Sequence, residues 1–150
     1  AGMVRCYDGV YAVLVSSTDG SSVAVRSREA AYGVEERILE CTGDPEAVHR
    51  SGDGVLGMRC RAARMTLDER ARIVVCDGAV RVDVAAGSLE CERVTWTLDS
   101  GEVRAVSRDS LVRFTASSED AAVHSCAARE AAFDVSADRL YLVGNVAVVF

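Results

Sequence analysis

No lysine occurs in this chain of 150 residues: all 17 basic side chains are arginine. A phosphate-cradling P-loop needs its lysine, so that nucleotide-handling motif is excluded. Proline is reduced to Pro45, which follows a glycine and an aspartate where it marks a loop or a strand edge. Aromatic residues make up 5% of the chain and histidine is limited to His49 and His124, too few for a histidine-rich metal centre. No apolar run approaches the roughly 18 residues of a membrane-spanning helix. G-x-S-x-G, H-E-x-x-H and C-x-x-C are all missing, and with them the short signatures of hydrolase, metalloprotease and dithiol chemistry. A net charge of −6 repels phosphate on average and argues against a nucleic-acid partner.

What remains is 49% hydrophobic and 27% charged, the balance of a folded domain with a core. No linker or compositional break divides it, so residues 1–150 form one domain, with 1–22 as a less certain N-terminal strand addition. The chain also repeats itself. Shifted by 66 positions, Cys60, Leu67, Asp68, Gly78 and Val80 fall on Cys126, Phe133, Asp134, Gly144 and Val146; shifted by 35, Arg72, Cys76 and Gly78 fall on Arg37, Cys41 and Gly43. A looser copy sets Arg93-Val94-Thr95-Trp96 over Arg64-Met65-Thr66-Leu67. Internal similarity at this spacing indicates stacked units that need their neighbours to bury an apolar face.

Within the units, apolar and polar residues alternate with period two, as in Val80, Val82, Val84 and Val94, Trp96, Leu98. That is the pattern of antiparallel strands with one buried face. Asp8-Gly9, Asp19-Gly20, Asp53-Gly54, Asp99-Ser100-Gly101 and Gly144-Asn145 supply turns between them. The alternation slips near Ala63 and again between Cys91 and Val94, which predicts a bulge or corner recurring in each unit. Residues 118–132 compete as a helix because they are alanine-rich, but their gap-free match to the Cys60 segment favours strands. The fold class is therefore all-β, solenoid-like or jelly-roll.

Candidate chemistry is sparse. His124 and Cys126 are two apart, and nothing supplies further metal ligands. Cys41 matches Cys76, and Cys60 matches Cys126, so the sulfurs read first as small buried hydrophobes meeting a packing need. Disulfides between neighbouring strands are the alternative, and sequence selects none of the fifteen full pairings. Gly43, Gly78 and Gly144 read as sites of positive φ, and Asp68 and Asp134 as turn starters. Arginine-only basicity reads first as genome composition, with bidentate grip on phosphate or carboxylate as the alternative.

Several segments carry a family resemblance. Gly43-Asp44-Pro45, the run from Gly54 to Leu67, Ile73–Val82, Leu89–Trp96 and Leu142-Val143-Gly144-Asn145-Val146 resemble the periplasmic lipopolysaccharide-transport bridge proteins of the LptA/OstA family. The resemblance spans about residues 24–150. It implies a repeat-built antiparallel β-jelly-roll, a β-taco, with an open apolar groove. It further implies non-enzymatic transport of lipopolysaccharide or a related envelope lipid, without cofactor. Protomers would join head to tail or dock on related inner- and outer-membrane bridge components. On that reading Met58, Cys60, Val80, Val82, Leu89, Cys91, Val94, Trp96, Leu98, Phe114, Val146 and Val148 line the groove. Six cysteines and the absence of lysine depart from the family's habit. The rival reading is a structural β-scaffold of an envelope assembly, with a filled core and no lipid. A chain opening at Ala1 is expected of a periplasmic product whose signal peptide has been removed, and the strand pattern running to Phe150 is expected to leave an open edge for another chain.

Overall fold

Residues 2–135 and 139–150 are described by a computed structural model, and among them the chain is all-β. The first strands are β1 (Met3–Cys6), β2 (Val10–Val15), β3 (Ser22–Ser27), β4 (Glu29–Gly33), β5 (Ile38–Thr42) and β6 (Glu46–Arg50). Next come β7 (Leu56–Arg61), β8 (Arg64–Asp68) and the two long strands β9 (Ile73–Val84) and β10 (Gly87–Thr97). The chain then builds β11 (Glu102–Val106), β12 (Val112–Ala116), β13 (Ser125–Ala128), β14 (Glu130–Asp134), β15 (Leu140–Val143) and β16 (Ala147–Val149). All sixteen join in one antiparallel sheet.

The sheet folds into two walls. Wall I runs β1, β4, β5, β8, β9, β10, β11, β14, β15; wall II runs β2, β3, β6, β7, β9, β10, β12, β13, β16. The long strands belong to both: residues 73–77 of β9 pair with β8 and residues 81–84 with β7. Every other traverse is a pair of short strands meeting at a bend. At three bends a glycine and its successor both take positive φ: Gly43 (74°) and Asp44 (54°), Gly78 (82°) and Ala79 (45°), Gly144 (76°) and Asn145 (51°). Two consecutive left-handed residues turn the strand from one wall into the other, and glycine carries the first at no steric cost. The bends bond to one another. Arg28 N–H donates to the Gly43 carbonyl, Ala63 N–H to Gly78 and Arg129 N–H to Gly144, so the crease is itself a hydrogen-bonded line.

This geometry explains the repeats. The 35-residue shift carries β4 onto β8, and the 66-residue shift carries β8 onto β14, end for end. The expected slip near Ala63 is the break between β7 and β8, and the slip after Cys91 is a register shift between Cys91 and Arg93. Of residues 118–132, expected as strand, Ser125–Ala128 and the part from Glu130 onward are strands, and 118–124 form a turn and irregular chain.

Inward side chains line up in rows crossing every strand of a wall. In wall II one row joins Ala12, Val25, Ala47, Cys60, Val82, Leu89, Phe114, Cys126 and Val148. In wall I, Cys41, Met65, Cys76, Val94 and Ala105 share one row, and Leu67, Val74, Trp96 and Val103 the next. The rows face each other and form the core. Each fully buried aliphatic contributes about 1.5–3 kcal/mol over its exposed state. The outer faces carry charge ladders instead, such as Arg64 with Glu40 at 2.9 Å and Arg93 with Asp77 at 2.6 Å.

Candidate functional site

The twelve residues expected to line a groove divide by depth. Met58, Cys60, Val80, Val82, Leu89, Cys91, Val94 and Trp96 are at most 7% exposed and pack in the interior between the walls. Leu98 and Phe114 are half-buried and reach open space nearer the mouth. Val146 lies at the last bend and is 50% exposed, while Val148 faces inward from the edge strand β16 and is 39% exposed. Of the twelve, Val82, Leu89 and Phe114 border one cavity, Trp96 and Leu98 border another, and Val146 and Val148 stand at one end.

Open space lies where the walls part, between the two rows of hairpin turns. One cavity, of about 250 Å³, is apolar and lined by Val82, Val84, Leu89, Phe114, Phe133 and Leu140, with Arg139 also on its wall. A second, of about 310 Å³, is mixed and the more polar of the two: Ser16, Asp19, Ser51, Arg72, Asp99 and Asp134 surround an apolar base of Leu14, Val23, Trp96 and Leu98. Asp134 and Val135 border both cavities. Val135 reaches across from wall I; its Cγ1 lies 3.5 Å from where a side chain on Gly57 of β7 would begin. A side chain at Gly57 would also press on His49 Nδ1, 2.7 Å away. The two cavities are thus neighbours of unequal polarity that share Asp134 and Val135 as a common border.

Charges at the more polar cavity are tied down. Arg72 Nε donates to Asp99 Oδ1 at 2.6 Å. Asp19 accepts from the Ser21 hydroxyl at 2.7 Å and its N–H at 2.9 Å, bonds that lower its pKa to about 2. His49 packs edge-on against Trp96 with ring centroids 5.6 Å apart, and its buried Nδ1 has no hydrogen-bond partner. Burial lowers the His49 pKa from 6.5, while the Asp19 charge pulls weakly the other way. A neutral ring therefore sits beside carboxylates in a cavity able to meet hydroxyl groups. His124, just before β13, is exposed, whereas Cys126 is buried. Among the described residues no group of three or more His, Cys, Asp or Glu is placed to hold a metal ion.

Val84, Phe133, Val135 and Leu140 were missed from the sequence, as were the serines and acids of the more polar cavity. Alternation marks which residues point inward, and Val84, Phe133 and Leu140 do. Depth below the mouth is not periodic, so no local pattern separates a cavity wall from the packed interior. The signal that could have helped is adjacency to a turn, since cavity residues cluster at hairpin ends.

No family model matches the chain, and no curated protein matches it. A solved structure does: LptH, the LptA homologous periplasmic component of the conserved lipopolysaccharide transport device from Pseudomonas aeruginosa. It superposes with a TM-score of 0.64 over 85% of this chain and 94% of that one, at 9% sequence identity. The chain shares the LptA-like β-jelly-roll, and the likeness is one of fold.

Proposed function

We propose that this chain is a non-enzymatic carrier of an envelope lipid of the lipopolysaccharide kind, working in the periplasm between membrane-bound partners. One observation carries the reading: two apolar walls stay apart at their mouth, where an apolar cavity adjoins a mixed one rimmed by serines and carboxylates. An amphiphile matches that division. Acyl carbons would occupy the space lined by Phe114, Phe133 and Leu140, with sugar hydroxyls at the serines and carboxylates beyond Val135. Each methylene kept out of water is worth about 0.8 kcal/mol, enough over one chain to hold a lipid without covalent chemistry. The shared fold with a periplasmic lipopolysaccharide-transport component supports the same reading. The seat lies toward the mouth, because the deeper residues of the expected lining already fill their own space.

Transport over distance would need copies joined head to tail, or joined to related domains of membrane partners, so that mouths run on from one to the next. β1 and β2 end the walls on one side, β15 and β16 on the other, and each pairs with one strand among the described residues. Open edges of this kind accept further strands.

A second reading is favoured by the interior packing: with Cys60, Val82, Val94 and Trp96 at most 1% exposed, the chain could serve as a filled β-scaffold. The two readings separate with a photoreactive amino acid placed at Phe114 or Leu140, both half-buried. Crosslinks to lipopolysaccharide from isolated envelopes are expected at these sites, with none at the outward-facing Arg104. Absence of lipid at both mouth positions, in folded protein, would leave the scaffold.

A further inference from the structure

Cys60 projects inward from β7 in wall II, and Cys76 from the wall I half of β9. Their sulfurs are 3.2 Å apart, and both side chains are 0% exposed. Each position is fixed by its row: Cys60 between Ala47 and Val82, Cys76 between Met65 and Val94. A disulfide holds its sulfurs at about 2.05 Å, so bonding requires closure of about 1 Å, a distance that rotation of the two side chains can supply. Cys91 lies in the same interior but is engaged elsewhere, its Sγ 3.4 Å from the Arg93 carbonyl.

We propose that Cys60 and Cys76 form a disulfide that staples the two walls together beside the crease. The bond would tie β7 of wall II to the wall I half of β9 across the interior, adding a covalent link to the long strands and crease hydrogen bonds that already join the walls. It would thereby set how far the walls part at the mouth. The inference stands on the thiol geometry and is independent of what the cavities bind.

The step is thiol–disulfide exchange with a small disulfide oxidant, for example oxidised glutathione. A thiolate from one cysteine attacks an oxidant sulfur, giving a mixed disulfide and releasing one glutathione thiol. The second cysteine attacks the protein sulfur of that mixed disulfide and releases the other. The protein pair gives up two electrons, and both protons leave on the released thiols. In the folded chain the bond to Cys76, together with burial, pushes the Cys60 thiol far above its usual range, and no oxidant can reach either sulfur. The bond therefore forms while the walls are still closing. The two residues are only sixteen positions apart, so they meet early.

The test uses the full chain, reduced in denaturant and refolded in a glutathione redox buffer. After alkylation of remaining thiols under denaturing conditions, peptides are mapped without reduction. The expected product is lighter than the reduced chain by two hydrogens before alkylation. It carries four alkylated cysteines and a peptide joining Cys60 to Cys76. Dithiothreitol should leave that link intact in native buffer and cut it in denaturant, and Cys91→Ser should retain it. Six alkylated cysteines after refolding, or a link from Cys91 to either residue, would overturn the assignment. Lipid binding by a chain with six free thiols would sink the staple and leave the carrier reading standing.

Discussion

Trp96 is 1% exposed and is paired on its row with Val74 and Val103. Truncation there removes buried contacts and enlarges the adjoining cavity, so Trp96→Ala should cost about 3–5 kcal/mol, read as a lower urea midpoint. The ring also holds His49 in a desolvated setting, which gives stability a pH dependence of known sign. Because burial lowers the His49 pKa in the folded chain, the unfolded chain binds that proton more readily. Stability is then complete above 6.5, the ordinary histidine value, and is lost as pH falls through and below it. Urea midpoints measured on either side of that value should drop on acidification, and should drop less in His49→Gln. An equal drop in both chains would place the acid sensitivity elsewhere. None of this was legible beforehand: the sequence offered His49 as one of two isolated histidines, and its contact with Trp96 joins strands that are distant along the chain. The arginines were legible only as a scatter. In the structure Arg64, Arg81 and Arg93 face carboxylates of the same or adjoining strands and Arg72 faces Asp99 between two turns, partners whose exposed pairs are each worth about 0–1 kcal/mol.

The bent traverse is the element that builds the molecule, and its demands on the backbone were visible in the repeats. Gly78 has φ +82°, and a Cβ there would stand 2.9 Å from that of Ala63, its hydrogen-bond neighbour across the crease. Gly78→Ala should therefore lose at least about 1–2 kcal/mol, the usual penalty for a left-handed non-glycine residue. Ala79 already bears that strain at φ 45°. Ala79→Gly relieves it at some entropic cost and should leave stability unchanged or raise it by up to about 1 kcal/mol. Urea denaturation of the two variants in parallel checks the contrast; equal losses would mean that the bend is set by packing and not by φ. Glycine at 43, 78 and 144 and the slips near Ala63 and Cys91 were legible because each bend imposes the same local requirement. Two things were not. Continuity of β9 and β10 through the crease depends on neighbours in both walls, since β15 and β16 break at the matching Gly144-Asn145. The depth of each inward residue depends on where its turn falls, so the sequence offered Val82, Leu89 and Phe114 of the apolar cavity but not Val84, Phe133 and Leu140 beside them.

At the scale of the whole molecule, the ends of the two walls decide whether it acts alone. One end presents β1 and β2, the other β15 and β16, and their outward faces are apolar for surface strands. Tyr11, Val13 and Val15 are 47–62% exposed on β2, and Tyr141 and Val143 are 59% and 60% exposed on β15. Surface edges that remain single are ordinarily guarded by charge or proline, and this β2 face has neither at those three positions. The two ends differ, so a contact between them is heterologous and propagates instead of closing as a dimer. Stacking would also extend both walls, setting the mouth of one copy beside that of the next. Light scattering across a wide concentration range should show mass rising without a plateau at two copies. The double change Val13→Lys/Val15→Lys puts two charges on that edge without touching the inward Ala12 and Leu14, which pair with Val25 and Val23. It should shift assembly to several-fold higher concentration while leaving the urea midpoint near that of the parent. A parent chain that stays monomeric throughout, or assembly unchanged by the two lysines, would show that these edges do not join.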